Sequence, residues 1–150
     1  MGKNRPDFDL IQSVVGSIEE RVAGHRYSEC SEAERTVCYV WLAGALIENG
    51  GFERLFEGYF DGDRDFVQTR KALERIGASA AHDAFSTVVR LFPDGRLHAD
   101  LRERRDFWLS LPPDTRERLD RQYGDALDQV TEQLAAYVRA HLDELAPPGA

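Results

Sequence analysis

Cysteine is nearly missing from this 150-residue chain, which holds only Cys30 and Cys38. On a helix these two would stand about 12 Å apart, beyond the ~7 Å that a disulfide bridges. Neither belongs to a CxxC, and no histidine lies at ligand spacing, so both read as small core residues in a reducing compartment; the expected location is the cytoplasm. Lysine is almost absent too, with Lys3 and Lys71 alone, and arginine carries the positive charge. No apolar run approaches the ~20 residues of a membrane helix, and acids interrupt the apolar residues of the first segment, unlike a secretory signal. Alternating strand patterns, Gly/Ser linkers, low-complexity tracts and internal repeats are also missing. One domain over residues 1–150 is expected, with 146–150 (APPGA) as a disordered tail.

What is present is helical spacing almost throughout. Phe8, Ile11, Val14, Val15, Ile18 and Val22 form one stripe; Val37, Val40, Trp41, Gly44, Ala45 and Ile47 form the next. The second is announced by SEAE, where Ser31 and Glu34 have the spacing of a capping box. It stops at Asn49, Gly50 and Gly51, and the stripe resumes at once with Phe52, Leu55, Phe56, Tyr59 and Phe60, so the glycine pair predicts a sharp corner between helices. Phe66, Leu73 and Ile76 predict another helix closed by Gly77; Ala81 to Phe92 the next, stopped by Pro93–Asp94–Gly95; Leu97 to Leu111 a further one before Pro112 and Pro113. Helical register then runs from Leu119 to Leu145, with a bend expected at Gly124. The fold class is therefore all-α, about six to seven helices with a long C-terminal one.

The 27 acids outnumber the 19 bases, for a net charge of −8. Residues 1–50 carry −3, 51–110 carry −1 and 111–150 carry −4. Such a balance disfavours direct binding of nucleic acid or anionic lipid and favours basic partners.

Motifs with specific chemistry fall short of their requirements. DGDRD at 61–65 opens like a calcium loop, but the sixth position holds Phe66 where glycine is needed and the twelfth holds Ala72 where a bidentate glutamate is needed. One of these aspartates is expected to cap the following helix. Gly50 and Gly51 match no phosphate loop, the four histidines lack zinc spacing, and no serine sits in a nucleophile elbow. No catalytic residue, metal ligand or cofactor is assigned. The acids of the C-terminal segment differ because they share helix faces: Asp114, Glu117 and Asp120, then Asp125, Asp128 and Glu132. Spaced by about 5 Å along an axis, they either offer a basic surface something like one strand of DNA backbone, or form an ordinary solvated face interleaved with Arg116, Arg118 and Arg121.

NGGF at 49–52, LF at 55–56, ALERIGA at 72–78, LFP at 91–93 and the terminal LDRQYGDALDQVTEQLAAYVRAH together resemble the DNA mimic protein 19 C-terminal-like domain family, over about residues 31–145. The chain departs from that pattern at Arg54, Leu55 and Gly58, where the family more often has glutamine, an aromatic residue and asparagine. The resemblance implies an all-helical fold in which Asn49, Gly50, Gly51 and Phe52 are a structural signature, Asn49 acting as a helix cap. It also implies mimicry of DNA.

The expected function is thus a non-enzymatic acidic interaction module that uses Asp114, Glu117, Asp120, Asp125, Asp128 and Glu132 to occupy the basic surface of a DNA-binding protein or transcription regulator. Two other classes stay open: an immunity or antitoxin protein blocking a cationic toxin, and a small enzyme with its pocket at the glycine corner around Glu48, Asn49, Glu53 and Asp61. The apolar face of the last helix leaves a homodimer open as well.

Overall fold

The computed structural model describes residues 5–145; the expected tail at 146–150 lies outside them. Among the described residues seven α-helices make the framework: α1 (Arg5–Val22), α2 (Glu32–Leu55), α3 (Val67–Arg75), α4 (Ser79–Leu91), α5 (Leu101–Ser110), α6 (Pro113–Asp125) and α7 (Leu127–Ala140). Single 3-10 turns follow α1, α4 and α7, and no strand occurs among the described residues. The fold is all-α, as the periodicity predicts.

Local chemistry accounts for most of the boundaries. The Ser31 hydroxyl accepts from the Glu34 N–H (3.2 Å) and the Glu34 carboxylate accepts from the Ser31 N–H (2.9 Å), the reciprocal capping box that starts α2. Glu34 also pairs with Arg21 of α1, which ties two helices at one residue. Asp100 caps α5 by accepting from the Glu103 N–H at 3.0 Å. Pro113 takes the first position of α6, where its missing N–H costs nothing.

Three expectations about boundaries need correction. The bend in the C-terminal helix falls at Ala126, not Gly124: the Ala126 N–H bonds to the Tyr123 carbonyl, three residues back, and this tighter turn separates α6 from α7. Helical register ends at Ala140, and 141–145 close into a 3-10 turn. Phe66 precedes α3 instead of opening it. It is buried in a left-handed conformation (φ 61°) that turns the chain into the helix.

Phe52 is the centre of the core. Its ring lies 5.5–5.8 Å from those of Phe56, Phe85, Trp108 and Tyr123, so α2, α4, α5 and α6 meet on one side chain. A second layer forms where α1 packs on α7 and α2, burying Ile11, Val14 and Ile18 against Val130, Leu134 and Val138. Leu127 and Tyr137 of α7 stay partly exposed. Asp7 and Arg139 clasp this layer from outside at 2.6 Å.

Candidate functional site

The glycine corner is built by two residues that do different things. Gly50 is extended (φ −175°), whereas Gly51 has φ 70° and ψ −168°, a region open essentially to glycine alone. A Cβ on Gly51 would stand 2.3 Å from Oδ2 of Asp120 in α6. The close approach has a purpose: Oδ1 of Asp120 accepts the Phe52 N–H at 2.9 Å, satisfying an amide that the helix restart leaves without a partner. One turn further along α6, Tyr123 packs on the Phe52 ring at 5.7 Å. The same helix therefore holds both the backbone and the side chain of Phe52. Asn49 is exposed, and the capping role expected of it passes to Asp120. Burial raises the Asp120 pKa, opposed by the Phe52 N–H and the Arg116 guanidinium.

The DGDRD segment is a second corner. Asp63 is buried and accepts from the N–H groups of Gln68 and Thr69 (2.7 Å each) and from the Thr69 hydroxyl (2.6 Å), capping α3. Burial pushes its pKa up against these hydrogen bonds. Asp65 accepts from the Val67 N–H, and Asp61 accepts from the N–H and hydroxyl of Ser28. Asp63 and Asp65 thus serve the first turn of α3, while Asp61 ties the loop to Ser28.

Beside the glycine corner lies a cleft of about 780 Å³ between α1, α2, α6 and α7. Its apolar lining includes Ile11, Val130 and Leu134, all buried, while Phe8, Trp41 and Leu127 remain partly open to solvent. The Phe8 and Trp41 rings pair at 4.9 Å. Its polar lining is mainly acidic: Glu48 from α2, Glu117 and Asp120 from α6 and Asp128 from α7, with Arg121 as the single cation among the described residues. Gly44 lets α2 approach α7, for a Cβ there would already meet Leu127 at 3.3 Å.

The six carboxylates expected to bind a partner divide accordingly. Glu117, Asp120 and Asp128 stand at the cleft; Asp114, Asp125 and Glu132 lie on the same two helices away from its lining. All are exposed except Asp120, which is half-buried and turned to the Phe52 amide. Arg118 and Arg121 are exposed on α6 among them. The pocket expected from Glu48, Asn49, Glu53 and Asp61 is not assembled as a unit. Glu48 and Asn49 line the cleft, but Glu53 turns toward Arg105 (3.4 Å) and Asp61 is held by Ser28. The contributions of Phe8 and Leu127 to this site have no sequence signal beyond apolar periodicity, because they arrive from opposite ends of the chain.

Among the described residues, no group of three or more His, Cys, Asp or Glu side chains is arranged to hold a metal ion, and no helix is long and apolar enough to cross a membrane. No curated protein and no solved structure matches the chain. A family model does match, over residues 28–141, a span that begins after α1 and takes in the glycine corner, the DGDRD corner, the α6–α7 acids and most of the cleft. The chain belongs to the family of DMP19-like proteins.

Proposed function

We propose that this protein is a non-enzymatic acidic interaction module that occupies the basic surface of a DNA-binding protein or transcription regulator, in competition with DNA. The observation that carries the reading is the set of exposed carboxylates on consecutive helices, Asp114, Glu117, Asp125, Asp128 and Glu132, in a chain of net charge −8 that belongs to the DMP19-like family. Neighbours three or four residues apart on a helix are separated by about 4.5–6 Å along its axis, the same order as the charge spacing along one DNA strand. Rigid helices hold such charges in place, so a basic groove shaped for phosphates meets them without ordering a flexible chain.

The test is a pull-down from lysate of the source organism, eluted by rising salt, with an unrelated acidic protein of similar charge as control. Specific recovery of a DNA-binding protein that its own DNA site displaces is the expected result. The triple variant Asp125→Lys, Asp128→Lys, Glu132→Lys should then weaken that complex at least tenfold and flatten its salt dependence. Recovery of only the basic background seen with the control, or a complex indifferent to the triple variant, refutes the reading.

A further inference from the structure

The backbone that joins α1 to the rest of the chain is strained. Three consecutive residues, Ala23 (φ 44°), Gly24 (φ 85°) and His25 (φ 67°), lie in the left-handed region, and two of them carry a Cβ that disfavours it. Elsewhere among the described residues that region holds at most two in succession, Asp94 and Gly95. Residues 23–26 are all exposed, so the turn buries nothing of its own. It is held by the Arg26 Nε–H, which donates to the Val22 carbonyl at 3.3 Å, and by His25, whose Nδ1 lies 2.8 Å from the Tyr27 hydroxyl and 2.7 Å from Glu19. The family match starts at residue 28, so α1 and this hinge lie outside the matched span.

The contacts that hold α1 in place all reach residues beyond the hinge. Ile11, Val14, Val15, Ile18 and Val22 are buried where α1 packs on α2 and α7. Arg21 pairs with Glu34, Asp7 with Arg139, and the Tyr27 hydroxyl donates to Glu19 at 2.7 Å. A second copy of the chain presents the same α2, α7 and Tyr27, so α1 seated there remakes every one of these contacts. What changes is confined to the hinge: the Arg26 bond and the place of His25 beside Glu19 are given up, and the left-handed residues relax. Fully extended, the four residues 23–26 reach up to about 14 Å, which lets two hinges cross at a two-fold axis. Exchange of an identical element is a low-cost route to a dimer, and short strained hinges favour it. We infer that α1 is an exchangeable arm, and that two copies of this chain associate by each placing α1 on α2 and α7 of the other. In that dimer Phe8 and Ile11 reach each cleft from the second copy, so neither cleft is complete without it. The exchange needs no basic partner and stands apart from the proposed function.

The experiment asks which chain each α1 sits on. Asp7 and Arg139 meet at 2.6 Å between α1 and α7, so the full chain carrying Asp7→Cys and Arg139→Cys is treated with a short bismaleimide after refolding from urea at low and at high concentration. Cys30 and Cys38 are buried, which leaves the introduced pair as the reactive one. A link within one chain runs as a monomer on a denaturing gel, a link between exchanged chains runs as a covalent dimer, and the two single-cysteine variants report chance links. Light scattering of the natural chain gives the dimer population without any link. Two hinge variants move the balance in opposite directions. Gly24→Val adds strain to the turn and nothing else, because a Cβ there meets no atom within 4 Å, and it should raise the dimer association constant about tenfold or more. Ala23→Gly removes strain and should lower it about tenfold.

The expected result is a covalent dimer that increases with the concentration at refolding and ranks Ala23→Gly below the natural chain and Gly24→Val above it. Circular dichroism checks that each variant is folded, and should Gly24→Val fail to fold, the fall in Ala23→Gly still decides. A chain that stays monomeric at every concentration overturns the inference. So does a dimer in solution whose links remain within single chains, since the copies would then meet without exchanging α1. A dimer population indifferent to the folded hinge variants overturns it as well, because strain in the turn would not be what drives the exchange.

Discussion

Replacing Gly51 by alanine perturbs the corner in two ways that can be measured apart. The first is local: alanine must adopt φ 70° and ψ −168°, a conformation that costs a non-glycine residue about 1–3 kcal/mol. The second is tertiary, because the new methyl would lie 2.3–2.8 Å from the three carboxylate atoms of Asp120. Asp120 has to withdraw, and its charge-assisted hydrogen bond to the Phe52 N–H, about 1.5–3 kcal/mol, goes with it. Gly51→Ala should therefore destabilise the protein by about 3–5 kcal/mol in urea unfolding. For a domain of this size that lowers Tm by roughly 10 °C. The decisive assay is the double-mutant cycle with Asp120→Ala. Once the carboxylate is gone the methyl has room, so only the backbone cost remains and the double variant should be about 2 kcal/mol more stable than the sum of the two singles. Strict additivity, or a Gly51→Ala variant within about 0.5 kcal/mol of the natural chain, would show that Asp120 does not hold this corner.

Two further outcomes follow from the buried carboxylates. Asp63→Ala strands the buried Thr69 N–H and hydroxyl and should cost about 2–4 kcal/mol in urea unfolding, with Asp63→Asn intermediate because its amide oxygen still accepts; equal, small effects would refute the capping role. Glu34 governs an acid dependence. Burial alone would raise its pKa, but the Ser31 N–H and Arg21 outweigh that and hold it below its ordinary value. A folded-state pKa below the unfolded ~4.3 contributes stability that is complete above the unfolded value and disappears as pH falls through the folded one. The stability difference between the natural chain and Glu34→Gln, about 1–2 kcal/mol given the half-exposed Arg21 guanidinium, should be flat from pH 6 to 8 and shrink below about pH 4. A difference that widens toward acid pH would contradict this balance.

What could be read along the chain was whatever is settled within one or two helical turns. Ser31 and Glu34 are three residues apart, and their capping box depends on nothing else in the molecule. Gly77 and the Pro93–Gly95 turn stop their helices by backbone preference alone, and DGDRD reads as a cap because its ligand pattern fails within twelve residues. The spacing of apolar side chains predicts each helix for the same reason, since amphipathicity is a local property that packing uses and does not create.

The expectations about the site that needed correction involve partners far away in sequence. Asp120 looks, on its own helix, like another member of an acidic row; only the fold sets it against an amide 68 residues earlier, where it takes the capping role that Asn49 seemed suited to fill. Glu53 and Asp61 flank the same corner as Glu48 in sequence, yet Arg105 and Ser28 draw them elsewhere. The cleft depends on tertiary structure most of all, for Phe8, Trp41, Glu48, Glu117 and Leu127 share no periodicity and meet only because α1 and α2 pack against the bent pair α6 and α7. Sequence by itself determined the run of helices, the capping box of α2, the glycine corner and the excess of acid. Tertiary structure decided which carboxylates turn inward and which stay exposed, because burial and hydrogen bonding of a side chain depend on neighbours that chain order does not specify.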